Sequence, residues 1–264
     1  MKQDFNTTKT ANLFLVFSIV ILLFSACSTK NKDHSIGMKE LKKMGIPDCN
    51  KLWSGNEYTK AYSILMDIKN QQPYKLPRKG SEKSGEVFDR LINRENMSFL
   101  QNDSIPLNIR AQAILRFLGT YEDIIDIYSN ILMKKQYYTP ELVEIYLFGL
   151  DIMQEMLVLG EKINQSDDPD DVAFQKGFPA IQQFYISMLL KHLKVQINSS
   201  EYSNEELETL CNGISASVKK NLNWFDQAQK DTLKQEMQTV INAASTEKIK
   251  AEYDNLIKLI KNEN

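Results

Sequence analysis

The chain has 264 residues, with 32 basic against 34 acidic side chains and a formal charge of −2. That balance argues against nucleic acid as the main partner, and the length supports a sizeable core. Ten Gly and seven Pro are few for this length and point to helices rather than a turn-rich β fold.

At the N-terminus, Lys2 and Lys9 precede an apolar run from Leu13 to Phe24, interrupted only by Ser18. Ser25 and Ala26 then lead to Cys27. A charged start, a short apolar region and a small-residue cleavage site are the parts of a secretory signal peptide. The run is about a dozen residues, short of the roughly 20 that span a bilayer. Phe24-Ser25-Ala26-Cys27 resembles the lipobox of bacterial lipoproteins, a resemblance confined to residues 1–27. It implies cleavage before Cys27, a diacylglycerol on its thiol and acylation of the new amine, so that palmitate-type acyl chains on Cys27 hold the protein to a lipid membrane. Phe24 stands where the family prefers Leu. Ser28, in place of Asp, favours an outer membrane, and the basic Lys30 and Lys32 favour its periplasmic face. The alternatives are a secreted protein with a free Cys27 or an uncleaved N-terminal anchor. The domain reading is a cleaved signal peptide over 1–26, a tether over 27–50 and one all-α domain over 51–264, with a C-terminal hairpin over 226–262 packed on it.

The tether is expected to hold one short helix around Met38–Met44, closed by Gly45 and Pro47. Its lysines would rest on anionic headgroups or be solvated. Ser54 to Asn70 reads as a helix, with Tyr58, Ala61, Leu65 and Ile68 near helical spacing. Gly55-Asn56-Glu57-Tyr58 with Ala61 faintly resembles the start of a tetratricopeptide repeat, but no second copy follows at the roughly 34-residue period. Pro73, Pro77 and Gly80 break the chain, and Lys75, Arg78, Lys79 and Lys83 make this loop a candidate contact surface. A short helix is expected from Ser84 to Asn93. Pro106 then opens an apolar stripe at 107, 114, 117, 118, 121, 124, 125, 128, 131 and 132. The stripe runs through Gly119, which favours one long helix over a break capped by Thr120 and Asp123.

Thr139-Pro140-Glu141 reads as an N-cap, a Pro at the first helical position and an acid at the positive end of the dipole. The helix to about Ile163 is apolar from Leu142 to Leu159 except for a narrow polar strip of Glu144, Asp151, Gln154 and Glu155. Such a helix belongs at the centre of a bundle. After Asp167–Asp171 a helix runs past Gly177 and Pro179 to about Ile197, with Ile181, Phe184, Tyr185, Met188, Leu189 and Leu193 inward. Ser203 and Glu206 form a capping box for the next helix. Two further helices, around Leu233–Ala244 and Ile249–Ile260, read as an antiparallel hairpin. The fold expected is an all-α bundle of about 7–8 helices with its largely buried central helix near 139–163.

With Cys27 lipidated, Cys49 and Cys211 are left in an oxidising compartment as candidates for a disulfide. Closing about 160 residues would contribute near 5 kcal/mol at most; two buried thiols are the alternative. No catalytic, cofactor-binding or metal motif emerges. Di-iron bundles need Glu-x-x-His pairs, and Leu189 stands three before His192. His192 lies between Lys191 and Lys194 and reads as a surface residue; His34 falls in the tether. Ser217-Val218-Lys219-Lys220 matches Ser-x-x-Lys but lacks its companion Lys-Thr-Gly. Glu122, Asp123 and Asp126, and separately Asp167 to Asp171, are acid clusters that helix dipoles and caps explain.

The leading expectation is a membrane-anchored periplasmic lipoprotein acting as a helical protein-interaction module: an envelope accessory, a scaffold or an immunity-type binder of a partner still to be identified. The alternatives are a cell-wall glycan hydrolase using paired carboxylates such as Glu122 or Glu144, and a carrier of an apolar ligand. Two partly buried carboxylates facing across a cleft favour the hydrolase, and a large apolar cavity favours the carrier. A closed bundle with an exposed apolar patch favours the interaction module.

Overall fold

The computed structural model describes residues 33–129, 137–197 and 199–262. The signal segment, the lipobox and Cys27 lie outside the described residues, as do positions 131 and 132 of the long apolar stripe. Nine α-helices occur among the described residues: α1 (Met38–Met44), α2 (Gly55–Gln71), α3 (Gly85–Leu91), α4 (Leu107–Tyr128), α5 (Thr139–Asn164), α6 (Val172–Ile197), α7 (Asn204–Asn221), α8 (Gln227–Ala243) and α9 (Glu247–Asn262). Short 3-10 turns join several of them, and no strand occurs among the described residues. None of these helices is long and apolar enough to cross a membrane. The fold is the all-α bundle that the periodicities indicate.

Local chemistry starts the helices where it should. Capping boxes open α2 with Ser54 and Glu57, α7 with Ser203 and Glu206, and α8 with Asp226 and Gln229. In each, the cap side chain accepts from the third helical amide and the third side chain accepts from the cap amide, together worth about 1 kcal/mol or more. α4 runs unbroken through Gly119. α6 runs through Pro179, which is exposed and leaves the carbonyl of Gln175 without its helical amide partner. Thr139 does not cap α5 as expected. It is the first helical residue, and its Oγ1 donates to Glu206 Oε1 at 3.0 Å, tying the start of α5 to the start of α7.

α5 is the centre. Sixteen of its 26 residues are buried, and α4, α6 and α7 all pack against it. Two glycines let neighbours approach its backbone. The ring of Tyr121 from α4 lies where a Cβ on Gly149 would project, and the ring of Phe178 from α6 lies where a Cβ on Gly160 would project. Ala111 and Ile114 of α4 meet the Gly160–Ile163 end of α5 while Tyr121 meets Gly149, so α4 runs antiparallel to α5. α6 does the same on the other side. α4 and α6 therefore straddle α5 while touching each other little. α8 packs on α6 and α9, and α9 packs on α7, so the expected C-terminal hairpin closes that side of the bundle.

Two expectations change. The compact unit begins at Ser35, well inside the expected tether over 27–50. Ile36, Leu41, Ile46 and Cys49 are buried there, Trp53 Nε1 donates to Asp48 O at 3.1 Å, and Arg90 Nε donates to Cys49 O at 2.9 Å. Four buried apolar side chains outweigh the lysines between them, which all point outward. Nor is the Cys49–Cys211 disulfide formed: both are free, buried thiols. Cys49 packs in the loop after α1, whereas Cys211 lies in α7 beside Tyr253 of α9, so the two occupy different parts of the core. Burial pushes Cys49 up to about 11 and Cys211 up to about 12, which keeps both as unreactive thiols.

Gly149→Ala and Gly160→Ala are each expected to lower the unfolding free energy by about 1–3 kcal/mol, although Ala is the better helix former. Gly119→Ala, where an added Cβ meets nothing within 4 Å, is expected to raise it by up to about 1 kcal/mol. Urea midpoints of the three variants measure the order, and an equal gain in all three contradicts the close packing on α5. In the native protein Cys49 and Cys211 are expected to resist a soluble disulfide reagent that titrates both after unfolding; rapid labelling of either in the native state contradicts their burial.

Candidate functional site

Because the backbones of α4 and α6 pack on α5 and only sparsely on each other, a trough runs between them. Its open part is a cavity of about 300 Å³ lined by Tyr121, Glu122 and Ile125 of α4 and by Phe184, Ser187, Met188 and Lys191 of α6. Farther along the same two helices, Leu115 of α4 and Phe174 and Ile181 of α6 line a second, separate pocket over Ala111, Met156 and Phe178. The space there, partly open to solvent, is only about 20 Å³, room for a single water. Leu115 is 42 % exposed, unusual for a leucine beside a core. The walls are thus apolar and the rim carries one acid, Glu122, and one base, Lys191.

Beneath the trough lies a polar cluster that sequence reasoning placed wrongly. His192, expected at the surface between two lysines, has 0 % exposure. Its neighbours Lys191 and Lys194 do point outward, but His192 falls seven residues after Tyr185 and four after Met188, on the inward row of α6. Its Nε2 lies 3.3 Å from the Tyr121 hydroxyl, and its ring stacks obliquely on Tyr146 with centroids 4.7 Å apart. Tyr146 in turn hydrogen-bonds Tyr202. Nδ1 has no partner among the described residues. Burial, helped by the charge of Lys191, lowers the His192 pKa from 6.5 to about 3, so the ring is neutral in the fold. Burial likewise holds the Tyr121, Tyr146 and Tyr202 phenols above their ordinary range.

A second groove follows the polar strip of α5. Two cavities of about 320 and 220 Å³ adjoin at Gln154 and Lys220, between the 3-10 segment Arg94–Gln101 and α7. Asp151 and Glu155 lie in it. Partial burial raises the Asp151 pKa against the opposing effect of Arg94, whose Nε sits 2.6 Å from its carboxylate. This strip, read as the one polar line on the central helix, is indeed where α5 meets water.

Several of the other singled-out acids have structural partners. Asp126 accepts from Lys69 Nζ at 2.9 Å, and Glu144 pairs with Lys79. Burial and the neighbouring Glu122 and Asp126 raise Asp123. Asp168 accepts from the amide of Asp170 at 2.9 Å and so starts the turn into α6. In the Ser-x-x-Lys match, Ser217 Oγ bonds the Tyr185 hydroxyl, and Lys220, the lysine of the match, lines the groove beside Gln154. The candidate nucleophile is thus engaged elsewhere. No group of three or more His, Cys, Asp or Glu side chains among the described residues is placed to hold a metal ion. No family model, curated protein or solved structure matches the chain.

His192 makes the fold sensitive to acid. Its folded pKa lies below its unfolded value, so the unfolded chain takes up the proton first as pH falls. Its contribution is complete above about pH 6.5 and is lost between there and about pH 3, by about 1.4 kcal/mol per pH unit. In urea titrations between pH 4 and 6, His192→Phe is expected to show a stability profile flatter than the wild type by roughly that slope. Parallel profiles contradict a neutral, buried His192.

Proposed function

We propose that the protein is a lipid-anchored lipoprotein of the bacterial envelope, held by Cys27 at the periplasmic face of the outer membrane. In this reading its helical body docks a partner protein in the α4–α6 trough. The lipobox resemblance supports the anchor. The observation that carries the docking reading is an open trough with mostly apolar walls, in contrast to the groove along α5, which charged side chains line; an exposed apolar groove is how soluble proteins present a surface to another chain. From Leu115 to Ile125 the trough and the pocket beyond it follow ten residues of α4, about 15 Å, the length of roughly three helical turns. An amphipathic helix with apolar side chains at i, i+4 and i+7 fits that length.

The alternatives draw less support. A carrier needs an interior apolar cavity, and the most apolar pocket between α4, α5 and α6 is partly open and holds about one water. A glycan hydrolase needs two carboxylates facing across a cleft. Of the acids put forward for that role, Glu144 is paired with Lys79, and Glu122 stands on an apolar rim opposite Lys191.

The test uses the protein in its native envelope. Photocrosslinking residues placed at Leu115, Glu122 and Ser187 are expected to capture one and the same protein, and a crosslinker at Lys230 on α8 to capture none. Equal capture at all four sites, or none at any, contradicts the docking reading. Separately, Cys27→Ser is expected to abolish acylation and shift the protein out of the membrane fraction; unchanged fractionation removes the anchor.

A further inference from the structure

The compact unit is clipped together where the chain enters it. Ile36 N donates to Lys75 O at 2.8 Å, Met38 N donates to Lys83 O at 2.9 Å, and the Ser35 and Ser81 hydroxyls share a hydrogen bond of 2.8 Å. Residues 35–38 thus lie along the loop 73–84. That loop is itself fastened to the bundle: Tyr138 OH donates to Pro73 O at 2.7 Å and accepts from Leu76 N at 3.0 Å, while Tyr128 OH donates to Pro77 O at 2.9 Å. Entry point and loop form one rigid pole.

The charge of this pole is unlike the rest of the chain. Segments 36–44 and 73–84 carry seven basic residues against two acidic, whereas the remainder carries 25 against 32. Arg78 and Lys79 are engaged with Glu141 and Glu144 of α5. Lys39, Lys42, Lys43 and Lys75 remain, against Glu40 and Glu82. Two large apolar side chains stand exposed among them, Tyr74 at 45 % and Met44 at 39 %. Lysines around an exposed tyrosine are the composition of a surface that meets phospholipid headgroups.

Chain length leads to the same surface. Seven residues, 28–34, separate Cys27 from Ser35. Fully extended they reach at most about 25–30 Å. If Cys27 carries the acyl chains, the pole at Ser35 is confined to within that distance of the bilayer.

We infer that this pole, built from α1 and the loop 73–84 around Ser35, is the membrane-facing surface of the protein and docks on anionic phospholipid headgroups. The inference rests on the lipoprotein reading for its geometry, but its charge argument is testable without the anchor. The docked pole leaves the body's other faces directed away from the bilayer.

The experiment uses the chain from residue 27 onward, which contains the whole compact unit, with Cys27→Ser to remove the acylation site. Co-sedimentation is measured with phosphatidylglycerol-containing vesicles and with pure phosphatidylcholine vesicles. Preferential binding to the anionic vesicles, weakening as salt is added, is the expected result. Lys39→Glu, Lys43→Glu and Lys75→Glu together are expected to weaken it roughly tenfold or more. Lys230→Glu, Lys258→Glu and Lys261→Glu together, on α8 and α9, are expected to leave it unchanged, with helical content checked in both variants. No preference for anionic vesicles, or equal loss in both triple variants, overturns the inference. Palmitate incorporation at Cys27 of the wild type reads the anchor independently. Acylation without vesicle preference removes the surface and keeps the anchor; preference without acylation keeps the surface and removes the anchor.

Discussion

A helix that is apolar around most of its circumference has one stable place, the interior, and α5 dictates the architecture for that reason. Each large side chain it buries contributes on the order of 1.5–3 kcal/mol, before the entropy of ordering the chain is set against it. Burying α5 needs helices on several sides, and how closely they come depends on what α5 presents. Gly149 and Gly160 present bare backbone. Tyr121 and Phe178 lie against those two places, so α4 and α6 settle directly on α5 and take up positions on either side of it. The trough between them follows from this arrangement. Two helices seated on a third at such short range leave a seam between their own outer faces, and the side chains along that seam are apolar because its floor is core.

The polar side chains His192, Gln196, Asn221 and Glu141 each enter the core with at least one partner, and each keeps one polar atom that has none among the described residues. His192 is neutral because burial makes its charged form costly, and it holds one bond to Tyr121. Gln196 Nε2 donates to Tyr253 OH at 2.6 Å, and Asn221 Nδ2 donates to Tyr185 OH at 2.9 Å. Glu141 is buried at the start of α5, where the helix dipole favours an acid. It accepts from the Lys79 amide at 2.9 Å and pairs with Arg78, whose guanidinium lies 4.9 Å from the Tyr137 ring centroid. A buried pair of this kind adds little net stability because both ions lose water. Its effect is positional: it fixes the loop 73–84, and with it the basic pole, against the most rigid helix of the fold.

Much of the fold was legible from residue periodicity. The central helix, its polar strip at Glu144, Asp151, Gln154 and Glu155, the long α4 and the hairpin of α8 and α9 follow from apolar spacing, which tertiary packing reinforces. The errors have physical causes. His192 occupies an inward position, but its chemical type and flanking lysines outweighed its register. Residues 35–49 look like a tether because lysines dominate their composition, yet burial depends on the few apolar side chains among them. The Cys49–Cys211 pairing was suggested by number and compartment alone, and neither carries distance. The trough was not legible at all. It arises from two rings meeting two glycines across three helices, and no single segment encodes that meeting. Its one trace in the sequence is a pair of glycines inside an otherwise continuous apolar helix.

Native-state amide hydrogen exchange tests the central claim most directly, because it ranks each helix by the free energy needed to expose it. The account predicts that amides of α5 between Leu142 and Leu159 exchange slowest, at the rate of global unfolding. The facing turns of α4 around Tyr121 and of α6 around Phe178 should come next, and α1 should exchange much faster. Slowest exchange in the α8–α9 hairpin, with α5 opening independently of α4 and α6, would contradict it.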